Sequence, residues 1–466
     1  MPGRTVAPAS VRVGLSMSRS RVQAVAVDSS GLIVATNAVD RIPSLSESVA
    51  AALTPLLGQV DASAVSSVAL ATSWLDEQMH ARSTHARVGV LRIGLTSTGA
   101  PPLSGWPSSL AAQLDGPRVI VAGGADVDGS PLAELDLGAV DSFARECRGR
   151  VDAVAISSVF SPLSADHELA AAERLATVLG PVPLTLSHTV GGFGLLEREN
   201  AAILNASLRH LGSELVSDAR RGLDLAGIAA ELYLAQNDGT LLSAEAAAAM
   251  PVRVFDSRLA TAANGAATDA DVSDAIVIDF DDTLPRASVV HSGSVALESD
   301  RSSLAGVRVI QYLPRGFGLP RSSNPVDRLR RHARNAPLLA VGDLAGHPEE
   351  GGHPFGATVP EHAEFASAIG AATADVSASV SGFIDSDDDR DDLLDQTRQR
   401  AIEEAILAGA HPSSTRVTAV HETPISHMVG EPRRLVVIAA GPPFSFADEP
   451  MQLDSFTQHN NERNAP

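Results

Sequence analysis

The stretch Asp274-Ala-Ile-Val-Ile-Asp279-Phe280-Asp281-Asp282-Thr283-Leu284 constrains this chain more than any other. Four apolar, mostly β-branched residues, Ala275 to Ile278, run straight into an acidic turn. An apolar run of that length reads as a strand buried on both faces, as in α/β sheets. Buried strands that end on carboxylates are where α/β proteins commonly place a phosphate and its Mg²⁺. The usual phosphate turn is glycine-rich, because backbone N–H groups must approach the anion closely. Here the turn carries Asp281 and Asp282 instead. That contrast raises the question of a nucleotide-dependent enzyme against a fold that has lost its nucleotide.

Elements can be read on both sides of this turn. Val11–Leu15, Val22–Val27 and Leu32–Asn37 form a meander with tight turns. A helix over Leu45–Thr54 starts on a capping box, Ser44 with Glu47, and Pro55 discourages continuation. Strands are expected at Val65–Ala71, Val88–Ile93, Arg118–Ala122, Val151–Ser157 and Pro183–Ser187, with an amphipathic helix over Asp166–Leu179. Glu197–Leu232 is helical for a long way, and Ser243–Met250 is a short Ala-rich helix. A second strand set follows at Ala275–Ile278, Ala287–His291 and Val307–Tyr312. Closely spaced strands thus occur twice, which suggests a structural duplication. Residues 314–362 read as loops, Phe365–Val380 as a small-residue helix and Leu393–Gly409 as a helix. Thr415–Glu422 and Arg434–Ala440 are closing strands. Alternating strands and helices indicate α/β architecture with mixed sheets.

Composition excludes several functions. The 466 residues suffice for two to three domains. A balance of 35 basic against 56 acidic residues leaves −21, which repels a nucleic-acid backbone. There is no lysine, so a Schiff-base lysine and a Walker-type P-loop are ruled out. Cys147 is the only cysteine, so no internal disulfide forms. No apolar run has the length of a membrane span, and the N-terminus lacks a signal-peptide core; a cytoplasmic location is the expectation.

One ordered set of segments carries more. It runs through Ala155-Ile-Ser-Ser-Val-Phe-Ser-Pro-Leu-Ser-Ala-Asp-His-Glu168, then Pro183-Leu-Thr-Leu-Ser-His-Thr-Val190 and Leu196-Glu-Arg-Glu-Asn-Ala-Ala-Ile-Leu-Asn-Ala206. It continues with Leu234-Ala-Gln-Asn-Asp-Gly-Thr-Leu-Leu-Ser-Ala-Glu245, Pro251-Val-Arg253, Ala366-Ser-Ala-Ile-Gly-Ala-Ala372 and Thr423-Pro-Ile-Ser-His-Met-Val-Gly430. In this order the segments resemble the hydantoinase A / 5-oxoprolinase family in its short form, over about residues 11–442. The resemblance implies two ribonuclease-H-like lobes of actin/Hsp70/sugar-kinase type around a cleft. It places an N-terminal lobe at 1–190, a helical connection at 191–255, a second lobe at 256–446 and a disordered tail at 447–466. It implies Mg-ATP-coupled opening of a cyclic amide such as 5-oxoproline or a hydantoin. A homo-oligomer or a partner subunit is compatible with it; nucleic acid and membrane are not expected partners.

The chain departs from the family at the phosphate sites. The first turn, Asp-x-Gly-Gly-Thr-x-Thr-Asp in the family, is Ser16-Met-Ser18-Arg-Ser20-Arg-Val-Gln23 here. The second, Asp-Met-Gly-Gly-Thr-Ser-Thr-Asp, is Asp279-Phe-Asp281-Asp282-Thr283-Leu-Pro-Arg286. Added carboxylates repel phosphate, and side chains keep it from the backbone. Arg19 and Arg21 offer an anion charge-assisted contacts instead. The resemblance marks Ser18, Ser20, Asp279, Thr283 and Gly370 as cofactor positions. Asp279, Asp281 and Asp282 offer oxygen ligands to a divalent metal, although such a trio is also ordinary turn chemistry. His188, Glu197, Arg198 and Asn205 are the catalytic or pocket candidates. Small residues around Gly370 also simply permit close helix packing. Three readings remain open. They are a divergent cyclic-amide hydrolase, a non-catalytic relative acting as a binding or partner subunit, and a metal-dependent hydrolase using the aspartates near 279.

Overall fold

The computed structural model describes residues 10–445, apart from 82–85, 96–98, 128, 281–284, 299–301, 312, 315, 319–329, 331–332, 334, 345–355, 385–389 and 425–432. Strand β1 (Val11–Met17) pairs antiparallel with β2 (Arg21–Asp28), and β2 with β3 (Ile33–Asp40). Helix α1 (Leu45–Leu53) is capped by Ser44, whose side chain accepts the Glu47 N–H. Strand β4 (Val65–Thr72) then returns parallel to β1 and leads into helix α2 (Trp74–His80).

An inserted unit follows. Its elements are β5 (Ala86–Ile93), α3 (Ser108–Ala111), β6 (Leu114–Asp115), β7 (Arg118–Val121), α4 (Leu137–Cys147), β8 (Ala153–Ser158), α5 (Asp166–Leu179) and β9 (Leu184–Leu186). The strands are all parallel in the order β7-β5-β8-β9, with β6 also beside β5. Phe143, Ala144, Ala171 and Leu175 of α4 and α5 cover one face. After the short helix α6 (Ser187–Val190), the 32-residue helix α7 (Leu195–Ala226) buries a long stripe from Ala201 to Leu223.

The chain then re-enters the first sheet through β10 (Glu231–Ala235), parallel to β4, and β11 (Leu241–Ser243); α8 (Ala244–Ala249) and α9 (Arg258–Asp269) follow. The second ladder repeats the first. β12 (Ala275–Asp279) pairs antiparallel with β13 (Arg286–His291), β13 with β14 (Ser294–Val295), and β20 (Leu338–Val341) returns parallel to β12. Between them lie β15 (Leu297–Glu298) paired with β18 (Leu313–Pro314), β16 (Ser303–Leu304) paired with β17 (Val307–Arg308), and β19 (Gly316–Gly318) on β13. Both ladders place the third strand beside the second, the second beside the first, and the returning strand on the first strand's other side. These are the two ribonuclease-H-like lobes of an actin/Hsp70-type fold, and the duplication expected from strand spacing is present.

Helix α10 (Ala366–Thr373) follows, then β21 (Val376–Ile384), α11 (Arg390–Leu407), β22 (Arg416–Pro424) and β23 (Arg433–Gly441). The last three strands complete a nine-stranded sheet ordered β22-β23-β21-β11-β10-β4-β1-β2-β3. A division drawn at 255/256 follows chain order; in space, the C-terminal strands pair into the sheet that residue 11 begins.

Several expected elements differ, among them the strand expected over Val307–Tyr312, which is the two-residue β17, with Tyr312 outside the described residues. The helix expected over Phe365–Val380 ends at Thr373, where Ala374 turns extended, and Val376–Ile384 is a strand. Its ladder to β23, from Val376↔Gly441 to Ile384↔Arg433, overrides the helical preference of the alanines. The long helix stops at Ala226 because Gly227 takes a left-handed C-cap, and Leu232 belongs to β10. Leu338–Val341, within the expected loops, is a fully buried strand.

Helices α9 and α10 lie between the two sheets, nearly devoid of side chain at their contact. A Cβ added to Gly370 would sit 2.0 Å from the Thr261 carbonyl, one on Gly265 1.9 Å from that of Ala366, and one on Gly14 of β1 1.9 Å from that of Ala368. Gly370 is thus a packing glycine at the lobe junction. Because backbone cannot yield as a flexible side chain does, Gly370→Ala is expected to destabilise by about 3 kcal/mol. Urea unfolding checks it; an unchanged midpoint would mean that the helices slide apart freely.

Candidate functional site

The first hairpin turn faces the lobe junction. Ser18 donates its N–H to the Arg21 carbonyl at 2.9 Å, and its hydroxyl accepts the Arg21 N–H at 3.1 Å. The Ser18 carbonyl accepts from Arg41 at 2.9 Å, and Arg41 also pairs with Glu77 of α2 at 2.7 Å. The Ser20 carbonyl accepts the Arg41 N–H. Arg21 reaches Glu364 ahead of α10 at 3.4 Å, and Gln23 donates to the Glu364 carbonyl at 2.9 Å. Across the junction Arg286 pairs with Asp256, and the buried Arg258 donates to Ser16 at 3.2 Å. Burial first, and the Asp256 carboxylate second, push the Asp76 carboxyl up, against the pull of His80, Arg286 and Arg19. Charges from both lobes therefore converge where the turn meets α2.

This first turn does not fit a phosphate gripped by backbone. Ser18 and Arg21 spend their N–H groups inside the hairpin, and Arg19 and Ser20 interpose side chains. Asp279 is buried at the end of β12, opposite Arg286. The remaining second-turn candidates, Asp281, Asp282 and Thr283, lie outside the described residues. Among the described residues no group of three or more His, Cys, Asp or Glu side chains is placed to hold a metal ion.

A second polar cluster stands at the carboxyl ends of β8 and β9. Glu168, in the first turn of α5, is fully buried. Its carboxylate accepts the Ser158 N–H at 2.8 Å, the Ser187 hydroxyl at 2.6 Å, the His188 N–H at 3.1 Å and His188 Nδ1 at 2.6 Å. Burial alone would raise this carboxyl, but the hydrogen bonds from His188, Ser187 and Ser161 outweigh it and hold the group below its ordinary value. Arg198 approaches from α7. It donates Nε to the Ser187 hydroxyl at 2.9 Å and its other nitrogens to the carbonyls of Ser158, Gly192 and Phe193. Burial pulls its guanidinium down to about 10. Next along α7, the buried Arg92–Glu199 pair and Ser157 tie the helix to β5 and β8.

Of the four catalytic candidates, His188 and Arg198 meet here, on either side of Ser187. Glu197 points away and pairs with Arg308 at 3.0 Å. Asn205 lies farther along α7, where it bonds Thr185, the Ala249 carbonyl and the Val252 N–H, bracing β9 against α8. Glu168 escaped the sequence reading: an acidic residue in a helix's first turn ordinarily faces solvent and complements the helix dipole. Its position twenty residues before His188 carries no signal until α5 packs on the sheet.

A two-lobed α/β protein with a charged junction and a separate histidine–carboxylate cluster is the class this structure defines. Residues 21–179 match the hydantoinase/oxoprolinase N-terminal region. No curated protein matches the sequence. The fold is shared with an ATP-dependent caprolactamase from Pseudomonas jessenii, with TM-score 0.70 and 13% identity over 93% of this chain and 88% of that one. It is shared also with acetone carboxylase in its nucleotide-free structure, from work on ATP-dependent acetone carboxylation, with TM-score 0.66 and 12% identity over the same shares. No helix among the described residues is long and apolar enough to cross a membrane.

Glu168 sets a pH signature. Its folded carboxyl titrates below the ordinary 4.5, so its contribution is complete above that value and drains away as pH falls through the lower folded value. Glu168→Gln is expected to cost about 3 kcal/mol at neutral pH by breaking a buried charged network. The difference from wild type should shrink below pH 4.5. Urea midpoints across pH 3–7 measure it, and a difference independent of pH would contradict the assignment.

Proposed function

We propose that this chain is a divergent hydantoinase/oxoprolinase-type hydrolase directed at small cyclic amides of the 5-oxoproline or hydantoin kind. The family match over residues 21–179 carries the reading. The shared fold with the caprolactamase agrees with it. In such a reaction water adds to the ring carbonyl carbon, the ring C–N bond breaks, and the departing nitrogen takes a proton. Mg-ATP, where it serves such chemistry, activates the amide oxygen as a phosphoryl donor. The first turn of this chain does not fit it.

A second reading has its own support. The junction where a nucleotide phosphate would be expected is laced by Arg21–Glu364, Arg41–Glu77 and Arg286–Asp256. A non-catalytic relative that serves as a binding or partner subunit would retain the lobes in this self-satisfied form.

Thermal-shift titration separates the two. The hydrolase reading expects 5-oxoproline or hydantoin to stabilise the protein saturably, by about 2.7 kcal/mol at a hundredfold excess over Kd. It also expects ring-opened product to accumulate. Absence of both shift and product with either ligand, with or without Mg-ATP, removes the hydrolase reading in favour of the second. A saturating shift with Mg-ATP would overturn the fit argument at the first turn.

A further inference from the structure

The inserted parallel sheet has a topology of its own that marks a ligand site. From β5 the chain moves to β7 on one side, then crosses back to β8 and β9 on the other. In open parallel sheets ligands bind outside the carboxyl ends of the strands, at the point where strand order reverses. Here the order reverses between β5 and β8, and the Glu168–His188 cluster lies at the carboxyl ends of β8 and its neighbour β9. The backbone adds an independent mark. Phe160, two residues past β8, adopts φ +50°, a left-handed conformation that a bulky side chain rarely takes and that concentrates at functional sites.

We propose that the carboxyl edge of the inserted sheet is a proton-transfer site, in which His188 is the base through Nε2 and Glu168 is its positioning residue. A carboxylate only accepts, so the 2.6 Å contact with Glu168 places a proton on Nδ1, and in the neutral ring the lone pair is then on Nε2. Glu168 is itself immobilised by Ser158 and Ser187, so the ring is held at one atom and in one tautomer. The carboxylate is wholly buried, whereas the histidine side chain is 23% exposed, so the ring is the member of the pair that a ligand reaches. Arg198, fixed on Ser187 and three carbonyls, balances the buried charge. For the ligand's identity this rests on the cyclic-amide reading. Nε2 takes a proton from water as its oxygen bonds to the ring carbonyl carbon. The same nitrogen returns that proton as the C–N bond breaks.

Diethyl pyrocarbonate acylates unprotonated imidazole nitrogen, and peptide mass mapping locates the product. His188 is expected to label in the native protein at neutral pH, and about tenfold more slowly in Glu168→Gln, in line with the loss of an orienting partner. Should that variant fail to fold, the wild type decides: His188 should label faster in the native chain than in the urea-unfolded one. Equal labelling with and without the Glu168 carboxylate, or slower labelling in the native chain, overturns the proposal. Protection of His188 by 5-oxoproline or hydantoin supports both the site and the cyclic-amide reading. Glu168-dependent labelling that neither compound slows supports the proton-transfer site and counts against the cyclic-amide reading alone.

Discussion

Backbone-to-backbone contact between α9, α10 and β1 is the constraint on which the rest of the molecule hangs. Three glycines from distant parts of the chain let main-chain atoms meet where side chains would ordinarily intervene. Close packing of this kind gains many small dispersion contacts and tolerates no added atom. The layer where α9 meets α10 is mostly alanine and glycine, thin enough to bring the two ladders close. The termini of β1, β4 and β12 are thereby aimed at a common junction, and the residues on their turns meet across it.

What fills that junction is side-chain charge. Where a glycine turn would present backbone N–H groups to an anion, this chain presents arginines that find carboxylates of their own. The Arg41–Glu77 pair is mostly sheltered from solvent and ties the first turn to α2, whereas Arg21–Glu364 is half exposed and contributes little beyond registration. By contrast, the cluster at the edge of the inserted sheet is built from residues too deeply buried to be surface decoration. Polar groups in such places destabilise unless every one is satisfied, and Glu168 and Arg198 each collect four contacts or more.

Much of the fold was legible in the residues. Asp166–Leu179 was readable to its ends, and Ser44 announced α1 as a cap. The repeated spacing of strands near residues 11 and 275 foretold two like ladders. One error is local, the Gly227 C-cap that ends α7; another falls where long-range pairing decides. Val376–Ile384 continues an alanine-rich helical run, and only its partner β23, some sixty residues on, makes it a strand. The site was legible in part. His188 and Arg198 stood out through the segments that carry the resemblance, but Glu168 acquires meaning only when α5 and α6 bring it to the ring. Glu197 and Asn205 share a helix with Arg198, and helix geometry alone cannot say which face a pocket takes.

The nine-stranded sheet joins the two ends of the chain. Strands laid down last, β21 to β23, are hydrogen-bonded beyond β11, which belongs to a ladder begun by residue 11. During synthesis the N-terminal half can assemble its meander, yet β11 must wait with an open edge until residues past 376 emerge. Unpaired edges of that kind template association with other chains, and pairings of such sequence separation form slowly. The nascent protein thus passes through an interval with an unfinished sheet, which lasts until β21 has both emerged and paired with β11.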